Sequence, residues 1–358
     1  YLHWLTNIRD WNLSQQITWG IQIPAWFCGD EMRKSSTGEL LSVKTDEGWE
    51  GKKINESIKN VRHGVFLRQP VYVGLMPPER CSKCGKNDLM QDPDVLTTWF
   101  SSSQWPYLAL GYPKSKDFKT FYPTDIMETG WDILFFWVAR MVMLGLYRTR
   151  KIPFKTIYLH GLVRDKDRQK MSKSKGNVID PLGVAETYGT DAVRMALVIG
   201  NLPGNDIIIS EEKIKGYRNF ANKIWNATRF VLMHTETQPQ KNKIKFGKAE
   251  RVMLAKLKKL TRDTTRDMEA MRYHHAADRL YHFLWHYYAD KVIEAMKPHL
   301  DSADGTVEKE TAKALLLEFH RTLMILLHPF MPFITEEIWG QMPGEKHNLL
   351  IIEPWPLY

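Results

Sequence analysis

Beyond Asn205 the apolar residues recur three or four positions apart, and this rhythm restricts the rest of the chain to helices around a shared core. Leu316, Phe319, Leu323 and Leu327 fall on one face of Val307 to Leu327, while Lys, Arg and Glu occupy the others. Glu211 to Met233 and Ala249 to Met296 repeat the pattern, separated by the polar stretch Thr235 to Gly247 and the turn around Asp301 to Gly305. The spacing predicts an all-α bundle over 211–358.

The first part reads differently. Asp94 to Trp99 and Ile157 to Leu162 are short apolar runs bounded by turn residues, which predicts buried parallel strands. Trp131 to Leu146 is apolar on nearly all sides and lacks Pro, so a buried helix is expected between them. Strand, helix and strand at this spacing make an α/β unit. Tyr1 to about Pro24 is rich in Trp and reads as buried structure. Gly29 to Asn60 is polar and Gly-broken, predicting a surface insertion or hairpins, and Val71-Tyr72-Val73 predicts a short strand.

A chain of 358 residues predicts two or three domains. Its net charge of +9 favours a polyanionic partner, without distinguishing RNA from DNA or acidic lipid. Three Cys exclude a disulfide scaffold and suit a reducing, cytoplasmic setting. No apolar run reaches membrane-spanning length, and Tyr1-Leu2-His3-Trp4 is no signal peptide. The start lacks an initiator Met, which predicts a cut inside a longer protein.

Four stretches carry chemistry. Lys170-Met171-Ser172-Lys173-Ser174, followed by Lys175-Gly176-Asn177, is cationic and rich in donors, and reads as a polyphosphate loop or a solvated basic turn. His160-Gly161 closes an apolar strand at the sheet edge where α/β proteins bind ligands. Gly130 allows a tight strand-to-helix turn, and Asp132 either accepts from a ribose hydroxyl or ammonium or complements the helix dipole. Trp99 and Phe100 are core residues or walls of an apolar pocket.

The Lys170–Ser174 pentapeptide matches the K-M-S-K-S signature of class I aminoacyl-tRNA synthetases. With Asp94-Val95-Leu96-Thr97-Thr98-Trp99-Phe100-Ser101-Ser102 and Thr129-Gly130-Trp131-Asp132-Ile133-Leu134-Phe135-Phe136-Trp137, the chain resembles the valyl-tRNA synthetases. Phe135-Phe136-Trp137 separates them from the isoleucine enzymes, which otherwise look alike. The likeness extends through Gly216 to Asn226 and His328 to Trp339.

That resemblance implies the second half of a class I Rossmann-type catalytic domain over 1–160, with a Cys-containing insertion at about 25–93. The signature loop and a stem-contact region would span 161–210, and an anticodon-binding bundle 211–358. Trp99, Ile133 and Trp137 would wall the valine pocket. Gly130 and Asp132 would contact the adenylate, and His160 and Gly161 its adenosine end. Lys170 and Lys173, with Met171, Ser172 and Ser174, would hold the ATP phosphates. ATP with Mg2+, valine and tRNA(Val) are the implied substrates and partners, with no membrane. Arg218, Lys223, Arg262 and Arg266, like Lys256 and Arg272, would touch tRNA phosphates or remain solvated helix faces.

Departures from the family pattern bear on activity. The H-I-G-H signature and the editing segment are not in this sequence, so an N-terminal synthetase half is an expected partner. Thr97 replaces Asp, and Arg168 replaces a Gly, which strains or re-routes the loop wherever that position has positive φ. Cys81-Ser82-Lys83-Cys84-Gly85 is half a zinc knuckle. Cys28 with Asp30 or Glu31 would complete a structural zinc site; a metal-free turn is the alternative. Other readings are an isoleucine homologue, a non-catalytic tRNA-binding module or one half of a split enzyme.

Overall fold

The computed structural model describes residues 2–28, 71–171, 176–344 and 348–357, with the backbone of 40–45, 48–53 and 63–64. The chain divides into two compact units, Tyr1–Tyr158 and Leu159–Tyr358. Among the described residues no helix is long and apolar enough to cross a membrane.

In the first unit, Val95–Leu96 lies between Ser14–Gln15 and Ile21–Gln22, antiparallel to both. Ala25–Cys28 is likewise central, flanked by Tyr72–Val73 and Leu89–Gln91. Leu40–Thr45 pairs antiparallel with Gly48–Lys53, the hairpin expected of the polar stretch. Asp94 to Trp99 is therefore not one parallel strand. Helix α1 (Thr98–Ser102) already begins inside it. There Ser101 donates to the Thr98 carbonyl at 3.0 Å, and Ser103 to that of Trp99.

The strand–helix–strand unit lies further along. Strand β1 (Thr124–Gly130) leads into a tight 3₁₀ turn at Trp131–Ile133, a π-helical turn at Leu134–Val138 and helix α2 (Ala139–Thr149). Strand β2 (Phe154–His160) returns beside β1. The Thr124 N–H donates to the Pro153 carbonyl at 3.0 Å and Lys155 pairs with Asp125 at 2.8 Å. Both strands thus start side by side and run the same way, as a helical crossover requires. The helix is amphipathic rather than buried all round. Val138 and Met141 have 0% exposure and pack with Phe154, whereas Trp131, Phe136, Met143 and Tyr147 are exposed.

In the second unit, β3 (Val163–Arg164) pairs parallel with a strand that follows two helices, α3 (Pro181–Tyr188) and α4 (Thr190–Val198). Neither helix is expected from apolar spacing. The signal is the cap: Asp180 accepts from the Leu182 and Gly183 N–H groups, with Pro181 preset for the first turn. The partner strand is β4 (Ile207–Ile208).

Among the described residues, five α-helices and a π-helical stretch come next: α5 (Glu211–His234), α6 (Lys248–Glu269), α7 (Tyr273–His282), the π-helical Phe283–Ile293, α8 (Glu294–Leu300) and α9 (Val307–Leu327). Helix α10 (Pro332–Gln341) follows. The predicted continuous helix over 249–296 breaks after α6, where Met271 takes a left-handed φ of 55°. Leu316, Phe319, Leu323 and Leu327 each have 0% exposure, so the stripe seen in sequence is the core.

Candidate active site

Within the first unit, the residues implied for amino-acid and adenylate binding sit on consecutive turns. Gly130 ends β1, buried, with φ −63°. Any residue adopts that angle, so the turn does not depend on glycine's freedom. Asp132 is exposed in the 3₁₀ turn and Ile133 is half-buried beside it. The Trp137 indole N–H donates to the Ser102 carbonyl at 3.1 Å and ties this segment to α1. Trp99, on α1, lies 6.0 Å ring-to-ring from Phe136. Trp99 and Trp137 thus come from facing elements and border the same aromatic region.

That region has a cation the sequence reading missed. The Arg140 guanidinium sits 4.0 Å from the Trp11 ring centroid and 5.5 Å from that of Phe136. Burial lowers its pKa from the ordinary value, and stacking on the two ring faces offsets part of that cost. Its i+4 spacing from Phe136 on one helix was the available signal. Thr97 is 2% exposed at the start of α1 and makes no side-chain cap there, the role an Asp would fill.

The residues implied for the nucleotide end, His160 and Gly161, lie in the second unit. The His160 imidazole places Nδ1 2.8 Å from the Gly161 carbonyl, where an N–H at that position donates. A Cβ on Gly161 would fall 1.6 Å from the Asn205 carbonyl oxygen. Close backbone approach therefore accounts for this glycine by itself. Asp206 accepts from the Leu162 N–H at 2.9 Å and pairs with Arg164, clamping β3 to the start of β4.

The signature loop leaves this clamp. Arg164 bridges antiparallel to Lys170, and the turn between them carries Arg168 at φ 61°. The Arg168 N–H donates to the Asp165 carbonyl at 3.0 Å, and the Asp165 N–H to the Gln169 carbonyl at 3.1 Å. This is a hairpin turn whose fourth residue must be left-handed, a glycine position. The arginine is strained there. Lys170 is exposed and Met171 half-buried; Ser172, Lys173 and Ser174 lie outside the described residues.

On the bundle, Arg218 and Arg262 are exposed. Lys223 pairs with Asp290 at 3.0 Å and lies 5.6 Å from the Trp285 ring, and Arg266 pairs with Asp263 at 3.1 Å. Lys256 rests 4.5 Å over Tyr287, and Arg272 pairs with buried Asp267 at 2.7 Å.

The three cysteines converge. Their sulfurs all lie within 4.8 Å of one another, with Cys28 and Cys84 at 3.3 Å. The Cys84 backbone, then that of Lys83, lowers the Cys81 pKa and favours its thiolate. Gly85 turns with φ 74° and donates its N–H to the Cys81 carbonyl at 2.9 Å, the tight turn of a metal knuckle. Three thiols at this spacing fit tetrahedral zinc. Asp30 and Glu31, the proposed fourth ligands, lie outside the described residues.

Comparisons with known proteins agree along the whole chain. Residues 1–210 match the family described as tRNA synthetases class I (I, L, M and V), and residues 250–358 match the anticodon-binding domain of tRNA ligase. A valine–tRNA ligase of Clostridium acetobutylicum is 41% identical over 362 residues, covering 100% of this chain and 37% of the relative. That of Geobacter sulfurreducens is 43% identical, covering 97% and 35%. The chain thus spans little more than a third of the length of these relatives.

Among solved structures, the ternary complex of Agrobacterium radiobacter K84 agnB2 LeuRS with tRNA and LeuAMS covers 99% of this chain and 44% of its own, with TM-score 0.67 and 20% identity. Mycobacterium tuberculosis methionyl-tRNA synthetase bound by methionyl-adenylate covers 75% and 54%, with TM-score 0.61 and 23% identity. Those likenesses establish the fold: a class I catalytic-domain portion followed by a helical anticodon-binding domain. On the match over residues 1–210, the chain belongs to the class I tRNA synthetases of the isoleucine, leucine, methionine and valine group.

Proposed function

We propose that this chain is part of a valine–tRNA ligase, joining valine to ATP as valyl-adenylate and passing the valyl group to tRNA(Val). The observation that carries the reading is 41% identity to a valine–tRNA ligase across 100% of the chain. Phe135-Phe136-Trp137 supports valine over isoleucine, and the aromatic surroundings of Trp99 and Trp137 suit a branched apolar side chain.

In this reading Asp132 accepts from the valine ammonium, and Trp99, Ile133 and Trp137 enclose the side chain. His160 and Gly161 border the adenosine. ATP enters as its Mg2+ complex, which supplies counter-charge on the phosphates. Lys170 and Lys173 stabilise the charge that grows on the departing pyrophosphate as the valine carboxylate attacks the α-phosphorus. Arg218, Lys223, Arg262 and Arg266 supply phosphate contacts to tRNA, with Lys223 and Arg266 exchanging an internal carboxylate for a phosphate. Cys28, Cys81 and Cys84 would hold a structural zinc ion, tying the end of the Ala25–Cys28 strand to the Cys81–Gly85 turn.

Valine-dependent ATP–pyrophosphate exchange tests this, with the chain alone, with the remaining segments supplied in trans, and in the full-length protein. Exchange that follows valine and not isoleucine is expected. Exchange driven by isoleucine, or none in the full-length protein, overturns the reading. Lys173→Ala should lower exchange about a hundredfold or more while tRNA affinity changes little; equal losses would contradict its role.

A further inference from the structure

Asp165 and Asn177 join the two ends of the signature loop. One carboxylate accounts for most of the joining. Asp165 Oδ1 accepts from the backbone N–H of Asp167 at 3.0 Å and of Gln169 at 2.7 Å. Its Oδ2 accepts from the Asn177 side-chain amide at 2.7 Å. That amide also lies 3.4 Å from the Lys170 carbonyl oxygen. The residue before the loop and the residue after it are thereby held against the same side chain.

The hairpin below is anchored in turn. Arg164 pairs with Asp206 through Nε and donates from Nη1 to the Arg168 carbonyl at 3.3 Å, which fixes the left-handed corner to β4. The line Asp206–Arg164–Arg168 holds the turn, and Asp165–Asn177 holds the ends. Bonds to an ionised carboxylate are stronger than neutral ones, so the second link is well suited to setting where Lys170 begins.

We propose that Asp165, acting through Asn177, is a positioning residue for Lys170: it sets the placement of that lysine without touching substrate. This rests on the valine–tRNA ligase reading for its consequence, because a displaced ammonium loses the charge stabilisation that speeds pyrophosphate departure. The link itself is independent of that reading. Its chemistry is directional: position 165 accepts and position 177 donates.

Directionality supplies the test. Asp165→Asn keeps an oxygen for the two backbone N–H groups but turns an amide toward the Asn177 amide, donor against donor. Asn177→Asp sets two carboxylates together. The double variant Asp165→Asn/Asn177→Asp restores one donor and one acceptor in reverse order. Two readouts are taken. The first is the rate at which trypsin cuts the Lys170–Met171 bond in this chain, followed by mass spectrometry, with urea unfolding as a control. The second is kcat and KM for ATP in pyrophosphate exchange by the full-length protein.

Each single variant should raise cleavage about tenfold and lower kcat by a similar factor, the worth of one charge-assisted hydrogen bond. Unfolding midpoint and tRNA affinity should stay near the parent's, and the reversed pair should recover part of both losses, because it restores the 165–177 bond but not the donation from 177 to the Lys170 carbonyl. Parent-like cleavage in both single variants, or a reversed pair no better than the worse single, overturns the link. Raised cleavage with unchanged kcat in an active enzyme overturns the positioning role. If the full-length parent shows no exchange while cleavage follows the expected order, the ligase reading fails and the link stands.

Discussion

The Tyr288 phenol and the His320 imidazole meet 3.2 Å apart inside the helical bundle, each almost entirely buried. The other ring nitrogen of His320 lies 3.0 Å from the Thr228 hydroxyl, which donates back to the Ile224 carbonyl at 2.9 Å. Three helical segments are joined by one chain of polar groups in an apolar core. Burial pushes the His320 pKa down to about 4 and raises that of Tyr288 far above its ordinary value.

This ring makes the bundle acid-sensitive. The folded state keeps His320 neutral down to about pH 4, whereas the unfolded chain takes up a proton near pH 6.5. The stabilisation is full above 6.5 and is lost as pH falls toward 4, by about 3 kcal/mol. Urea unfolding followed by circular dichroism at pH 7 and pH 4.5 should show that loss. His320→Gln should remove most of the slope; an unchanged slope would count against a neutral buried ring.

Asp267 should be costly to neutralise. Burial alone would raise its pKa, but hydrogen bonds and charge from Arg279 at 2.8 Å and Arg272 at 2.7 Å bring it below the ordinary carboxylate range. It is 3% exposed and also offers its carbonyl to the Arg272 N–H at 2.7 Å, bracing the α6–α7 turn. Asp267→Asn is expected to destabilise the bundle by about 1–2 kcal/mol, since the carboxylate is buried while both arginines reach solvent. With a depressed carboxylate, this stabilisation is present above the unfolded pKa near 4 and is lost as pH falls through the lower folded value. A variant within about 0.5 kcal/mol of the parent, the range of ordinary surface substitutions, would refute the assignment.

Gly161 and Arg168 should respond oppositely to substitution. Gly161→Ala drives a methyl into the Asn205 backbone, which separates β3 from β4 and should cost about 2 kcal/mol or more. Arg168→Gly relieves a left-handed arginine and should stabilise the turn by about 0.5–1 kcal/mol. Thermal unfolding of both variants checks the signs.

The cysteine cluster makes a compositional prediction. Purified protein should carry about one zinc per chain by elemental analysis, and Cys81→Ser or Cys84→Ser should lower that content at least tenfold. Equal metal in parent and variants would place it elsewhere. Chelation should increase proteolysis between the Ala25–Cys28 strand and the Cys81–Gly85 turn.

Sequence disclosed what a single side-chain period or a contiguous motif records. The stripe from Leu316 to Leu327 is core because a helix repeats its face, and Cys81 to Gly85 turns as its spacing implies. Strand β1 was illegible because Asp125 and Glu128 interrupt its apolar pattern, and both are exposed. The Asp94 to Trp99 run misled because its strand is only Val95–Leu96, and α1 begins at Thr98 with no side-chain cap to mark it. The tight approach of Gly161 to the Asn205 backbone joins residues far apart in the chain, a proximity no local pattern encodes.

Asp191 opens α4, yet its carboxylate accepts from the backbone N–H groups of Phe333 at 3.3 Å and Ile334 at 2.7 Å, at the start of α10. Arg194, one turn on, donates to the carbonyls of Pro329 and Phe330. The family boundary runs between these partners, since α4 falls within residues 1–210 and α10 within 250–358. Excising the anticodon-binding portion along that boundary would remove a cap supplied from outside it and leave a helix start with unmet donors. A graft of this bundle onto another synthetase would therefore have to carry α4 with it, and the exchangeable part is larger than its evolutionary label.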